Sequence, residues 1–510
     1  MMSRKVLFAL ILSTTALAAC APQQGRLASA GAPHQATWAF ETSDVPLDEG
    51  YKFGKLDNGM RYVIRSNATP KGQALVRMVV NTGSLDEADD ERGYAHFIEH
   101  MAFNGSTRVP EGEMIKLLER LGLAFGADTN AATGFERTEY KLDLPRNDAA
   151  LLDTALMLMR ETASELTISE AAVARERGVI LSEKRDRNTF ALRNFEDQMQ
   201  FLHPKARYSR RLPIGTEKTL NGATAERLRA FWRREYVPAQ TTLLVIGDFP
   251  ADAVEAAIKA HFASWQKAPA EPQPKAGPFD PKDKPREDVF IDQALSERIT
   301  ITKGGPWLNE PDSIAQRREN RLRQIGYGII NRRLLSRTRE ADAPFRGAGV
   351  GTSDQFREGR ATSLTVDTID GGWKRGLIVA TEEYRRALEF GFSEAEVAEQ
   401  VANLRTAARN AAASESTRSS AALLGAALAL INDDVVPDQP SRSLERLEAF
   451  IPQITPASVL AALKREVVPL DQPLIRFQGR RDPVGGAKAL REAWNWAAST
   501  QVSKPENKAT

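Results

Sequence analysis

His96-Phe97-Ile98-Glu99-His100 is the stretch that decides how this chain is read. On a helix, positions i, i+3 and i+4 share one face, so His96 and His100 can grip one metal ion while Glu99 reaches a water beside it. Zinc used for chemistry takes three protein ligands, keeps a fourth position open and lowers the pKa of water bound there. A neighbouring carboxylate can then take the proton. Phe97, Ile98, Met101 and Phe103 are apolar, which sets the helix against a core and the motif in a cleft wall.

The chain holds 5 His in 510 residues. His34 lies in an N-terminal polar stretch, His203 precedes a proline, and His261 lies near the end of what reads as a first domain. None offers an obvious third ligand, so a carboxylate is expected. The segment Arg175-Glu176-Arg177-Gly178-Val179-Ile180-Leu181-Ser182-Glu183 presents Glu176 and Glu183 two helical turns apart on one face. Taken alone, such a pair is more often an ordinary charged helix face.

The inverted motif His-x-x-Glu-His followed by Glu-x6-Glu resembles the pitrilysin and insulinase peptidases, the inverzincins. Leu56-Asp57-Asn58-Gly59-Met60, Asn81-Thr82-Gly83-Ser84, His100-Met101-Ala102-Phe103-Asn104-Gly105, Asn130-Ala131 and Val245-Ile246-Gly247-Asp248 widen the resemblance. It implies a zinc endopeptidase with one Zn2+ per chain, held by His96, His100 and Glu183, with Glu99 as general base. Glu176 is implied to support catalysis as a carboxylate that orients a ligand. Asn130 and Ala131 are implied to belong to an edge strand that pairs with the backbone of peptide substrates.

Punctuation and repetition give the domain organisation. Six prolines between Pro269 and Pro285 mark a linker. Ser169-Glu170-Ala171-Ala172-Val173-Ala174 recurs as Ser393-Glu394-Ala395-Glu396-Val397-Ala398, an offset of 224 (393 − 169). Arg234-Glu235-Tyr236-Val237-Pro238 recurs as Arg465-Glu466-Val467-Val468-Pro469, an offset of 231 (465 − 234). The chain therefore reads as a tandem repeat of one α+β domain, each copy a mostly antiparallel sheet packed with helices. Strands are expected over Arg61–Arg65, Leu75–Val80, Tyr140–Leu144 and Thr242–Ile246, and helices over Glu111–Leu121, Asp148–Leu166, Glu170–Arg185 and Ala225–Glu235. Asp57-Asn58-Gly59 is a tight-turn signal. The expected division is a zinc-bearing domain over 49–266, a linker over 267–287, a homologous non-catalytic domain over 288–499 and a polar tail over 500–510.

The second copy cannot build the same metal site. Adding 224 takes Glu176 to Gln400 and Glu183 to Ala407, and no His follows His261. The resemblance implies that two such domain pairs enclose substrate as a clamshell, with an Arg-x6-Tyr pair from the other half steadying the scissile carbonyl. Here the matching stretch begins at Arg337 and reaches Pro344 and Phe345 instead of a tyrosine. The expected partner is thus a second peptidase half carrying Arg-x6-Tyr, in a separate chain or a missing C-terminal region.

Ser3-Arg4-Lys5, an apolar run from Val6 to Leu12 and Leu17-Ala18-Ala19-Cys20 read as a lipoprotein signal peptide over residues 1–19. Cys20 is the chain's single cysteine, which excludes an internal disulfide and leaves its thiol for lipid attachment. Residues 20–48 then read as a lipidated cysteine and a flexible tether. The expected location is the bacterial cell envelope, facing the periplasm, with outer-membrane sorting indicated by Ala21 and membrane contact through the lipid alone. Composition is otherwise ordinary globular material: 42% hydrophobic, 27% charged, net charge +2.

Between Arg317 and Arg339, eight arginines meet a single acid, Glu319. Ile314, Leu322, Ile325 and Ile329 thread that run at helical spacing, so an amphipathic helix with a basic solvated or chamber-facing side is expected rather than a nucleic-acid surface. Gly347, Gly349 and Gly351 read as close-packed strand glycines rather than a nucleotide loop. Two functions compete: an envelope zinc endopeptidase for short or unfolded peptides, and a non-catalytic lipoprotein that binds peptides or scaffolds a partner half. Intact His96, Glu99, His100 and Glu183 favour the first.

Overall fold

The computed structural model describes residues 38–124, 126 and 129–504. The signal-peptide, tether and Cys20 readings, like His34, lie outside the described residues, apart from 38–48.

Eleven strands form two sheets among the described residues. The first sheet contains β1 (Tyr51–Lys55), β2 (Arg61–Ser66), β3 (Ala74–Val80), β4 (Thr129–Thr133), β5 (Thr138–Leu144) and β6 (Thr241–Gly247), in the order β1-β2-β6-β3-β5-β4. The second contains β7 (Glu287–Ile291), β8 (Arg298–Pro306), β9 (Gly347–Gln355), β10 (Gly359–Asp367) and β11 (Leu474–Gly479), in the order β7-β11-β8-β10-β9. Without β1, the two orders are the same. Each sheet also has one parallel pair at the matching place, β2 with β6 and β7 with β11, and is antiparallel elsewhere. A repeat inferred from two short sequence echoes is therefore a repeat of topology.

The helices of the first copy are α1 (Tyr94–Met101), α2 (Glu113–Arg120), α3 (Ala149–Ser164), α4 (Glu170–Arg187), α5 (Phe190–Leu202), α6 (Glu217–Asn221), α7 (Ala225–Glu235) and α8 (Ala251–Phe262). Those of the second are α9 (Ile314–Arg337), α10 (Trp373–Phe390), α11 (Glu394–Ala413), α12 (Ser420–Asp433), α13 (Pro440–Phe450), α14 (Pro456–Glu466) and α15 (Gly486–Ser499). Capping explains why the sequence echoes mark true helix starts. Ser169 accepts from Ala172 N before α4, and Ser393 accepts from Glu396 N before α11. Thr224 and Thr455 do the same for α7 and α14. Each such cap is typically worth about 1 kcal/mol.

The central strand β6, Thr-Thr-Leu-Leu-Val-Ile-Gly, is buried along its whole length because both faces of the sheet are covered. Leu243 and Val245 join the core under the helices of the first copy, with Phe97, Ile98 and Phe231. Leu244 and Ile246 point the other way, where α12 from the second copy lays Leu423, Leu424, Ala427 and Leu430 against them and against Val63 and Val79. Positions 423, 427 and 430 share one helical face, which is why this run packs as a stripe. Tyr51 Oη donates to the Leu423 carbonyl at 2.6 Å, and Arg418 reaches Asp48 at 2.9 Å. α12 thus straps the two copies together.

Between Phe262 and Glu287 no helix or strand forms, as the proline spacing predicts. Asp57-Asn58-Gly59 turns β1 into β2, with Leu56 N donating to Met60 O at 2.8 Å. Strand β1 and helix α5 were not anticipated. Two expectations need correction. The basic face of α9 is largely ion-paired rather than solvated: Arg323, 2% exposed, meets Glu310 at 2.6 Å, and Arg333 meets Glu396 at 2.7 Å. The acids arrive from distant segments, so the sequence window shows only Glu319. Gly347 and Gly349 do lie in a strand, but it is the edge strand β9, and a side chain there would make only ordinary contacts, at 3.9 and 3.6 Å.

Candidate metal centre

The centre is built where α1 lies against α4. Phe97, Ile98 and Met101 of α1 are fully buried in the first core, which turns His96, Glu99 and His100 toward the opposite side. The N-terminus of α1 is fixed by Glu87, a fully buried carboxylate that accepts from Gly93 N and Ala95 N, both at 2.9 Å. Two orphan amides of the helix are satisfied by one anion at its positive end. Burial nonetheless pushes the Glu87 carboxyl well above its usual range. Gly93 has φ of 96°, and a side chain there would meet Gly215 Cα at 3.0 Å, so both conformation and space require glycine.

On the facing helix, Ala172, Val173 and Ile180 enter the core, leaving Glu176 and Glu183 on the side toward α1. Glu183 Oε2 stands 3.7 Å from His96 Nε2 and 3.4 Å from His100 Nε2. Donor atoms of the three residues all lie within 4.8 Å of one another. A tetrahedron with zinc–ligand bonds of about 2.0–2.1 Å has edges of roughly 3.3 Å, so the observed spacing fits a zinc ion. The chemistry fits too: two imidazoles and one carboxylate leave a fourth position for water. His100 Nδ1 is 2.9 Å from Glu176 Oε2, which fixes the ring so that Nε2 faces the centre. Asn104 Nδ2 donates to the His100 carbonyl at 2.9 Å.

Without a metal the charges respond to burial and to one another. His96 is pushed down to about 3 by burial and by His100, which keeps it neutral and free to donate a lone pair. Burial also lowers His100, but contacts from Glu176 and Glu183 outweigh it and raise the ring to about 9. Burial raises Glu183, yet His100, His96 and Arg187 together hold it below its ordinary value. On holding a metal ion, His100 would give up its Nε2 proton. Glu99 is raised by burial, an effect partly offset by a hydrogen bond that Thr133 Oγ1 donates to Glu99 Oε2 at 2.5 Å. A carboxylate raised in this way is a stronger base than one in water.

Asn130 and Ala131 lie in β4, the terminal strand of the sheet, which also carries Thr133. Ala131 N points away from β5 and meets Asn130 Oδ1 at 2.9 Å. The free edge of the sheet and the Glu99 carboxylate are thus linked through a single strand. His203 and His261 are elsewhere: His203 contacts Gln355 and stacks edge-on against Phe279, and His261 pairs with Asp153 at 2.6 Å. Pro344 and Phe345 are buried, Phe345 in the second core, and Arg337 pairs with Glu340. Three residues escaped the sequence reading. Arg187, bound to Glu183 at 2.5 Å, lies at i+4 and was open to a helix-pair argument. Thr133 and Glu87 carry no local signal, because their roles depend on how the strand and the loop before α1 fold back.

Fold and centre together describe a two-copy α+β protein that carries, among the described residues, one candidate His-His-Glu metal centre. Residues 62–207 match the insulinase domain of peptidase family M16, and residues 222–404 match the peptidase M16 inactive domain. The chain belongs to this insulinase/pitrilysin family of zinc peptidases. It is 38% identical over 215 residues to the probable zinc protease PqqL of Escherichia coli K12, covering 42% of this chain and 23% of that one. To a zinc protease PQQL-like protein of Arabidopsis thaliana it is 30% identical over 303 residues, covering 59% of this chain and 32% of that one. The chain spans about a quarter to a third of these curated relatives. The crystal structure of the first half of the periplasmic protease PqqL from Escherichia coli superposes with a TM-score of 0.83 at 24% identity, over 91% of this chain and 99% of that one. Against the whole PqqL protease the coverage is 52% of that chain. These superpositions establish the fold, half of a pitrilysin-type clamshell.

Proposed function

We propose that this chain is the zinc-bearing half of a metalloendopeptidase that hydrolyses short or unfolded peptides in the bacterial cell envelope. The observation that carries the reading is the convergence of His96, His100 and Glu183, with donor atoms within 4.8 Å of one another, beside a half-buried, Thr133-anchored Glu99. When bound, Zn2+ supplies Lewis acidity that polarises the scissile carbonyl and makes water more acidic. His96, His100 and Glu183 hold the ion, and Glu176 keeps the His100 ring in the donating orientation.

Glu99 takes a proton from the attacking water at its carboxylate and is placed to return it to the departing amide nitrogen. Thr133 holds that carboxylate in one orientation. Residues Asn130 and Ala131 offer the main chain of β4 to an extended peptide, a contact with little demand on side-chain sequence. The envelope location is supported by the lipoprotein-like segment ending in Cys20 and by the relative described as a periplasmic protease. A second half completes the enclosure, as the half-length match to whole PqqL supports.

The test is cleavage of an unstructured peptide, followed by mass spectrometry, with the zinc-loaded chain alone and with a second half carrying Arg-x6-Tyr. The chain alone should cleave slowly, since loss of one donor to the developing oxyanion typically slows such reactions about 100-fold to 1,000-fold. Addition of the second half should raise turnover more than it raises peptide affinity. No cleavage in either arm contradicts the peptidase reading.

A further inference from the structure

Helix α9 contains seven arginines, and among the described residues five have a carboxylate partner: Arg317, Arg323, Arg332, Arg333 and Arg337. Arg318 and Arg321 have none. Both line a groove of about 270 Å³ between the first turns of α9 and helix α13. Arg318 is held with its guanidinium 5.5 Å from the Phe450 ring centre. Arg321 makes one long contact, 3.5 Å to Gln324 Oε1. Burial and the neighbouring Arg317 both press on the Arg321 charge and lower its pKa.

The other cations of the groove are already neutralised. Arg317 meets Asp312 at 2.6 Å and Asp438 at 3.2 Å, and Arg446 also pairs with Asp438. Two positive charges are therefore left over in the groove, that of Arg318 exposed and that of Arg321 partly desolvated. Around them the groove offers the apolar surfaces of Phe450 and Leu447 and the side-chain amides of Asn320 and Gln324. Guanidinium forks accept carboxylates in paired hydrogen bonds, while amides and apolar walls suit a peptide main chain and its side chains better than a small inorganic anion.

We propose that the α9–α13 groove is an accessory site for acidic peptide segments, with Arg318 and Arg321 engaging their carboxylates. The identification of the ligand as peptide rests on the peptidase reading above. The site would favour acidic substrates without touching the zinc centre.

The experiment measures binding directly, so its outcome is separate from hydrolysis. A fluorescein-labelled peptide of alternating Glu and Leu, and its Gln and Leu counterpart, are titrated with the full zinc-loaded chain carrying Glu99→Gln. The acidic peptide should bind about tenfold more tightly at low salt, and the advantage should shrink as salt rises. Adding Arg318→Gln and Arg321→Gln should abolish the difference. The same two substitutions in the otherwise native chain should leave cleavage of an uncharged peptide unchanged. Equal affinity for the two peptides, or an unchanged preference in the double variant, overturns the proposal. Displacement of the acidic peptide by inorganic phosphate as effectively as by unlabelled peptide would assign a small-anion site instead. Sedimentation with phosphatidylglycerol vesicles that depends on Arg318 and Arg321 would assign a lipid surface, and either result overturns it. Failure here would leave the zinc reading standing.

Discussion

The two copies in this chain share one topology and differ in what stands between their equivalent helices. In the first, α1 and α4 bring His96, His100 and Glu183 together. In the second, α11 carries Gln400 and Ala407 at the places of Glu176 and Glu183, and it faces α9. There Gly328 lies so close to Gln400 that a side chain would stand 2.7 Å from its Oε1. The sheet edges differ as well. Ala131 pairs with Tyr140, and Val350 pairs with Leu364, which is Tyr140 advanced by the same 224 positions (364 − 140). Among the described residues Ala131 N is met by the neighbouring Asn130 side chain alone, whereas Val350 is clamped at both N and O by Asn331 of α9, at 2.8 and 3.0 Å. The second copy has lost its ligands and also closed its edge. One fold can thus gather metal-ligand side chains or present a closed edge, depending on a few residues of the helix beside the sheet.

Several substitutions would break or sharpen that contrast. The largest effect is expected from Glu99→Gln, which keeps the shape of the side chain but cannot accept a proton. Peptide turnover should fall by about 100-fold to 10,000-fold, while zinc content by elemental analysis stays at one per chain. Next comes Glu176→Gln, which weakens the hold on His100. Competition with a chromogenic chelator should show zinc affinity reduced about 10-fold to 100-fold.

A smaller, directional effect is expected from Thr133→Val. On the proposed role of Glu99 as base, its carboxylate must be ionised, so the rate should fall as pH drops through the Glu99 pKa. The Thr133 hydrogen bond lowers that pKa, and its loss should move the acid limb of the pH–rate profile to higher pH. A limb that moves to lower pH, or stays, would show that Thr133 does not tune the base. The smallest effect is a null one: Ala407→Glu in the second copy should leave zinc at one per chain, because among the described residues no His, Cys, Asp or Glu cluster forms there. A second equivalent of zinc would mean that the second copy retains a latent site.

What could be read in advance follows from how local each signal is. The β2, β3, β5 and β6 strands were legible because their apolar alternation or apolar runs are contiguous, and α4 and α7 because a capping residue precedes each. The HxxEH turn was legible because three functional groups fall within one helical turn. Glu87 was not, since its partner amides lie across a loop that must first fold back. The partners of Arg323 and Arg333 were hidden for the same reason, being contributed by Glu310, Glu466 and Glu396. A basic run in sequence became a mostly neutral helix in space, and within α9 only Arg318 and Arg321 lack a carboxylate partner among the described residues.

The central claim is that one zinc ion binds between α1 and α4 and none binds between α9 and α11. Anomalous diffraction at the zinc absorption edge, from crystals of the zinc-loaded chain, tests it most directly. A single strong peak is expected among His96 Nε2, His100 Nε2 and the Glu183 carboxylate, and none beside Gln400 and Ala407. Absence of the first peak, or a comparable one in the second copy, would contradict it.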